Sequence, residues 1–105
     1  MYTRHLTMKL KANVAPEFNR VIENEILPLL RKQPGFRDEI TFVAPERSEL
    51  IAISFWETKE NCETYERTAY PEILKMIATV VEGTPRVETL VLATSTLHKL
   101  AAAKA

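Results

Sequence analysis

The spacing of apolar residues changes period along the chain, and this pattern constrains the fold more than any other feature of the sequence. Strand-like spacing, with apolar residues alternating or in a short continuous run, occurs in four segments: residues 2–11, 36–44, 50–56 and 87–94. Helical spacing occurs in three segments: residues 17–32, 59–68 and 71–81. Thr58 is expected to cap the second helical region, which Pro71 only divides, so the predicted order of elements is β-α-β-β-α-β.

Two β-α-β halves of this length close into a four-stranded antiparallel sheet with both helices on one face, which is the α+β ferredoxin-like fold. The only two glycines, Gly35 and Gly83, each follow a helical segment and are expected to end it. Pro28 lies inside the first helical segment, where it is expected to kink or break the helix. The sequence therefore predicts one domain over residues 1–96 and a C-terminal tail over residues 97–105.

The third and fourth strands are apolar on both faces, although the helices can cover only one. In the third strand Ile51, Ile53 and Phe55 alternate with Leu50, Ala52 and Trp56, and in the last strand Leu90 and Leu92 alternate with Val87, Val91 and Ala93. An apolar face has to be covered, and the simplest cover is a second copy related by a two-fold axis. We expect a homodimer through the helix-free sheet face, with Val91 on that face.

Composition excludes several classes of partner. Fourteen basic and 14 acidic residues cancel, so there is no basic field for nucleic acid or an anionic membrane. Cys62 is the only cysteine, which is typical of a reducing compartment. The N-terminus has no signal-peptide core and no apolar run reaches about 20 residues, so a cytoplasmic protein is expected. With no zinc-like ligand cluster or glycine-rich phosphate loop, we expect no metal and no cofactor.

Three junctions carry a resemblance to a known family. Residues 28–36 (PLLRKQPGF), residues 54–61 (SFWETKEN) followed by Tyr65, and residues 83–87 (GTPRV) match it in order and spacing. They resemble the end of the first helix, the strand-to-helix junction and the approach to the last strand in antibiotic-biosynthesis monooxygenase-like proteins. That group belongs to the dimeric α+β barrel superfamily, and the resemblance covers residues 2–95.

The resemblance implies several activities, from cofactor-free oxidation of aromatic polyketides to heme degradation. In the heme-degrading branch it implies a tryptophan in the second helix and a histidine further along it as iron ligand. The matching positions here are Tyr65 and Lys75, and the predicted second helix contains no histidine. Because a neutral histidine nitrogen is what such iron binding needs, heme degradation is not expected.

Cofactor-free oxygenases must promote loss of a phenolic proton and stabilise the anion, which requires donors and a cation beside a dry aromatic pocket. The residue types that can serve as catalytic groups are Asn61 and Tyr70 as hydrogen-bond donors and Arg86 as the cation. Trp56 and Tyr65 are expected to line the ligand pocket, together with His5, which can act as a base near neutral pH.

Each of these residues also has an alternative, structural interpretation. Trp56, Tyr65 and Tyr70 can be packing residues, Arg86 an exposed residue paired with Glu88, and His5 a satisfied sheet residue. At the level of function, the leading hypothesis is oxidation of a flat phenolic or quinol molecule in a cavity between sheet and helices. The alternatives are a non-catalytic dimer that binds a small hydrophobic or aromatic molecule, and a structural dimer whose cavity is filled by side chains.

Overall fold

The computed structural model describes residues 1–97, so the predicted tail lies, apart from Leu97, outside the described residues. The elements are β1 (Tyr2–Leu10), α1 (Ala15–Val21), a π-helical turn (Ile22–Ile26), α2 (Leu27–Arg31), β2 (Phe36–Ala44), β3 (Glu49–Trp56), α3 (Lys59–Thr68), α4 (Tyr70–Ile77) and β4 (Val81–Val91). A single 3-10 turn, Pro45–Arg47, joins β2 to β3 as a hairpin.

All three strand pairs are antiparallel, and the strand order is β2-β3-β1-β4. Leu6 and Met8 of β1 pack in one core with Phe18 of α1 and Ile73 of α4, so the helices cover a single face of the sheet. This arrangement confirms the predicted ferredoxin-like fold.

Proline at position 28 alters the first helix without ending it. The turn before α2 is π-helical, and the Leu27 N–H donates to the carbonyl of Ile22, five residues back. A proline ring clashes with the carbonyl four residues before it in a regular α-helix, and the wider turn relieves that clash. The predicted kink or break is therefore realised as a change of helix type.

Gly83 does not end the second helical region, which corrects the prediction made for it. Helix α4 stops at Ile77, and Gly83 lies inside β4 with a φ of 71°, close to the shift in β1–β4 register between Thr7 and Lys9. Val80 and Val81 are both buried at the turn into β4, so their side chains continue the helical spacing of apolar residues beyond the end of α4.

Strand register separates the two faces of the sheet. Residues directly opposite each other in an antiparallel pair point to the same face. Thr3, His5 and Thr7 face away from the helices, and opposite them lie Phe55, Ile53 and Ile51 of β3 and Leu90, Glu88 and Arg86 of β4. Ile40 and Phe42 of β2 extend the same face. On the helix-free face β3 is therefore apolar, as predicted, and β2 extends this apolar part, whereas β1 and β4 contribute mainly polar and charged side chains apart from Leu90.

Val91 is on the other face from the one predicted. It lies opposite Tyr2 and is 71% exposed, whereas Leu90 lies opposite Thr3 on the helix-free face and is 46% exposed. Alternation along β4 is regular, but both of its sides are apolar and partly exposed. The pattern alone therefore does not identify which side faces the helices.

Among residues 1–97, no helix is long and apolar enough to span a bilayer.

Candidate functional site

A small cavity lies between the helix-covered face of the sheet and the helices. Its walls are mainly apolar side chains of β1, β3 and all of the helical segments: Leu6, Met8, Phe18, Ile22, Ile26, Leu27, Leu30, Ala52, Tyr65, Ile73 and Ile77. Its volume is about 50 Å³. Since one water molecule needs about 10–15 Å³ by this measure, the space holds about four waters, and it has about a third of the volume of an apolar cavity that binds benzene.

Three polar residues cross the floor of this cavity in a row. Arg4 of β1 lies opposite Ser54 of β3, and Ser54 lies opposite Glu39 of β2. All three line the cavity, and we call them the polar row. Neighbouring strands are about 4.8 Å apart, which places the Cα atoms of Arg4 and Glu39 about 10 Å from each other. A cation and a carboxylate therefore stand at opposite ends of the cavity floor.

Arg4 is a buried cation with incomplete hydrogen bonding. Its side chain is 2% exposed, and its guanidinium carbon lies 3.9 Å from the ring centre of Tyr70 and 5.5 Å from that of Tyr65. Its Nη2 is 3.7 Å from Oε1 of Glu66, too far for a hydrogen bond. Within residues 1–97, neither Nε nor Nη2 of Arg4 has a hydrogen-bond partner. Leaving charged donors buried and unsatisfied is costly, so this residue requires an explanation beyond packing.

Glu39, at the other end of the polar row, has the properties of a proton acceptor. Its carboxylate accepts a hydrogen bond from the hydroxyl of Thr41. Burial raises the pKa of Glu39 above its ordinary value of 4.5, and the hydrogen bond from Thr41 opposes that shift. A carboxylate with a raised pKa is a better general base near neutral pH than an ordinary surface carboxylate.

Tyr65 and Tyr70 keep their phenolic protons. Burial raises the pKa of both, and the positive charge of Arg4 opposes the shift in each. Tyr65 lines the cavity, and its ring is 6.2 Å from that of Tyr70 at the start of α4. Protonated phenols next to the polar row are available as hydrogen-bond donors.

Trp56 packs behind the cavity and does not line it. It is fully buried, its ring stacks on Tyr65 at 4.7 Å and meets Phe36 edge-on at 5.6 Å. Its ring N–H donates to Oγ of Ser54 at 2.9 Å. Trp56 thereby holds one wall residue and the centre of the polar row in place, which matches the structural interpretation of this tryptophan.

The remaining three candidates lie away from the cavity. Asn61 is in the first turn of α3, where its N–H donates to Oγ1 of Thr58 at 3.0 Å and its Oδ1 accepts from that hydroxyl at 2.8 Å. Its side chain also packs so closely on Gly35 that a Cβ there would clash with it. This confirms Thr58 as the helix cap and gives Asn61 a local structural contact.

His5 and Arg86 point to the helix-free face because strand alternation places them there. His5 is one residue from Arg4, and its Nε2 is 3.0 Å from the Thr3 hydroxyl oxygen. Arg86 lies opposite Thr7 on the exposed part of β4. The structure thus brings together Trp56, Tyr65 and Tyr70, and it separates them from His5 and Arg86 by the thickness of the sheet.

Sequence reasoning missed the polar row. One signal was present for Arg4, because it shares the phase of Tyr2, Leu6 and Met8 in β1 and so sits at a core position of an alternating strand. Ser54 and Glu39 gave no comparable signal, since their alignment with Arg4 depends on the register of three strands.

No group of three or more histidine, cysteine, aspartate or glutamate side chains able to hold a metal is present in the described part of the chain.

Comparison with known proteins identifies the fold. No family model and no curated protein sequence matches the chain. Among solved structures, a monooxygenase from the gene ActVA-Orf6 of Streptomyces coelicolor, in complex with nanaomycin D, matches with a TM-score of 0.75 at 11% identity, over 91% of this chain and 90% of that one.

Two further structures give the same result. SnoaB, a cofactor-independent oxygenase from Streptomyces nogalater, matches with a TM-score of 0.72 at 11% identity, over 91% of this chain and 96% of that one. A candidate antibiotic biosynthesis monooxygenase from Bordetella bronchiseptica matches with a TM-score of 0.75 at 14% identity, over 89% and 97% of the two chains. As the resemblance of its three junctions predicts, the chain has the fold of the antibiotic-biosynthesis monooxygenase-like proteins.

Proposed function

We propose that this protein binds a small phenolic molecule in the cavity between sheet and helices and oxidises it with molecular oxygen, without a cofactor. The observation that carries the proposal is a small apolar cavity whose floor holds a cation, a hydroxyl and a carboxylate in one row. ActVA-Orf6 and SnoaB, which share the fold, are named a monooxygenase and a cofactor-independent oxygenase.

In the proposed reaction, Glu39 removes the phenolic proton. Its raised pKa suits it to this step, and once protonated it can donate a hydrogen bond back to the phenolate oxygen. The electron-rich ring then passes electrons to oxygen. A C–O bond forms at the ring carbon para to the phenolate, the O–O bond breaks, and the second oxygen atom leaves as water with the phenolic and ring protons. The phenol becomes a quinone, so one phenol and one O₂ give one quinone and one water.

The size of the cavity restricts the substrate. A flat polycyclic molecule needs several times the volume of about 50 Å³ that the side chains leave between sheet and helices. We therefore narrow the proposed substrate from flat phenols in general to phenols with a single ring, and binding even one ring requires the walls to move apart.

A second function, binding without turnover, is favoured by the same buried cation. An anionic ligand would satisfy Arg4 whether or not it is oxidised afterwards. The two functions differ only in whether oxygen is consumed.

The test is oxygen uptake with a panel of single-ring phenols that have hydrogen at the para carbon. We expect oxygen uptake above the buffer rate for at least one phenol, with one quinone formed for each O₂ consumed. We expect no uptake with a tricyclic anthrone of similar acidity. Glu39→Gln should lower the rate by about 100-fold, the usual contribution of a general base. Uptake equal to buffer for the whole panel, with ligand binding retained, would leave binding as the function.

We also propose that the protein is a homodimer through the helix-free sheet face. The apolar centre of that face consists of the partly exposed residues Ile40, Phe42, Ile51, Ile53 and Leu90. Charges of both signs surround it, including Lys9 opposite Glu49, and Arg86 two residues from Glu88 on β4. A surface with an apolar centre and a mixed rim is self-complementary under a two-fold axis.

Leu90 and Val91 provide a matched pair for testing the dimer. They are adjacent in β4, both partly exposed, and on opposite faces of the sheet. Leu90→Lys should give the mass of one chain by light scattering or an aggregated protein, because it places a charge inside the proposed interface. Val91→Lys should keep the mass of two chains. Equal masses for the two variants would exclude the helix-free face as the interface.

A further inference from the structure

One edge of the Arg4 guanidinium has no hydrogen-bond partner among the described residues. Its two unsatisfied atoms, Nε and Nη2, form one edge of the planar guanidinium, where two N–H bonds point in parallel. That edge is complementary to the two oxygens of a carboxylate, which it binds through a pair of parallel hydrogen bonds. A phenolate presents a single oxygen and would leave one of the two donors unsatisfied.

The protein itself does not fill this edge. Glu66, the nearest carboxylate, stays 3.7 Å from Nη2 and is 48% exposed, so water competes for it. Glu39 is two strands away on the same face. A second copy docked on the helix-free face would meet the opposite side of the sheet from Arg4. Arg4 therefore has only a long ion pair with Glu66 at this edge, and an anion from outside the protein can make the two hydrogen bonds that Glu66 does not make.

The surroundings of Arg4 determine what such an anion carries. Arg4 lines a cavity with apolar walls, so we expect a carboxylate bound there to carry an apolar group, at most a single ring, and a ring only after the walls move apart. The polar row continues from Arg4 through Ser54 to Glu39, about 10 Å away across two strand spacings. A hydroxyl on the far side of the ring would meet Glu39.

We propose that the ligand is a single-ring hydroxy-aromatic carboxylic acid, with its carboxylate on the Nε–Nη2 edge of Arg4 and its hydroxyl toward Glu39. This rests on the proposed function and names the substrate class of the same cavity. In this arrangement Arg4 selects acids over neutral phenols, and Glu39 lies beside the hydroxyl whose proton it removes.

The test uses 3-hydroxybenzoate, whose carbon para to the hydroxyl carries hydrogen, and 3-hydroxybenzamide, a neutral molecule of nearly the same shape. Binding of both to the full chain is measured by calorimetry near pH 7. We expect the acid to bind about tenfold or more tightly than the amide, because charge-assisted hydrogen bonds to a buried cation are lost with the amide. Arg4→Met should remove that preference, and Arg4→Lys, which keeps the charge without the edge, should keep part of it.

Three results would overturn the assignment: equal binding of acid and amide to the unaltered protein, no binding of either at millimolar concentration, or an acid preference that survives Arg4→Met. Should Arg4→Met fail to fold, a crystal structure with 3-hydroxybenzoate decides the question, because a carboxylate seated anywhere other than on Arg4 contradicts the proposal.

The outcome is separable from that of the proposed oxidation. Arg4-dependent binding of the acid with no oxygen uptake would retain the ligand class and reject the oxygenase activity. Oxygen uptake with neutral phenols and no preference for the acid would retain the activity and reject the ligand class.

Discussion

The two faces of the sheet depart from ordinary burial rules in opposite ways. On the helix-covered face, Arg4 keeps a charge in the core with two donors unsatisfied. On the helix-free face, Phe42 and Leu90 leave large apolar side chains about half exposed. The first face has polar groups where water is excluded, and the second has apolar groups where water is present. We propose a small-molecule ligand for the first face and a second copy of the chain for the second.

This contrast arises within single strands. Arg4 and His5 are adjacent in β1, yet one lies in the core and the other on the open face, and Leu90 and Val91 of β4 are separated in the same way. A sheet with two unlike faces allows one strand to serve a ligand site and an interface independently. Neighbouring residues on opposite faces should therefore respond differently to substitution, which the following predictions use.

The largest effect is expected for Trp56 on the helix-covered face. Trp56→Ala removes a fully buried ring that stacks on Tyr65 and packs against Phe36, and should lower the free energy of unfolding by about 3–5 kcal/mol. Urea denaturation measures this directly. Trp56→Phe keeps most of the ring contacts and should lose clearly less. A loss below about 1 kcal/mol for Trp56→Ala would mean that the helix-covered face is not the main core.

Most of the fold follows from the sequence because it depends on local periodicity. Alternation and helical spacing identify all four strands and the helical regions, and Thr58 and Pro71 mark helix starts that the structure confirms. The wrong predictions occur where one sequence pattern is compatible with two different local structures. Val80 and Val81 are buried and continue the helical spacing, although Val80 lies in the turn after α4 and Val81 begins β4. Gly83, with its positive φ, is compatible with a helix end and also with an irregular strand.

The site is predicted less well because it depends on which residues meet across strands. Trp56 and Tyr65 are predicted as pocket residues and Tyr70 as a hydrogen-bond donor, and their three rings lie in contact. Arg4, Ser54 and Glu39 belong to three strands and come together only through their register. His5 was chosen because imidazole can act as a base, but side chains alternate along β1, so Leu6 lies in the core and His5 lies on the opposite face.

A smaller effect, of opposite sign, is expected for Arg4. Replacing an unsatisfied buried charge by an apolar side chain of similar length is commonly neutral or stabilising, so Arg4→Met should raise the free energy of unfolding without ligand by about 1 kcal/mol. His5→Gln on the other face is the control and should change stability by less than about 0.5 kcal/mol. Destabilisation of Arg4→Met by more than about 1 kcal/mol would show that contacts with Tyr70 and Glu66 outweigh the missing hydrogen bonds.

The smallest effect is expected for Glu39 and appears as a dependence on pH. Burial raises the pKa of Glu39 above 4.5 in the folded protein, so the folded state holds this proton more tightly than the unfolded state. The stabilisation that results is fully present below pH 4.5 and is lost as the pH rises through the raised pKa. Glu39→Gln cannot ionise, so its stability relative to the unaltered protein should improve as the pH increases over that range.

Urea unfolding at several pH values from about 4 to about 7 measures the difference. Glu46→Gln, in the exposed turn between β2 and β3, is the matched control and should follow the unaltered protein. Since Glu39 faces the cavity, a bound hydroxy acid should change the pH dependence of the unaltered protein and leave that of Glu39→Gln nearly unchanged. Parallel curves for Glu39→Gln and the unaltered protein without ligand would show that Glu39 is as well solvated as a surface carboxylate, and the helix-covered face would then hold a buried cation with no matching base.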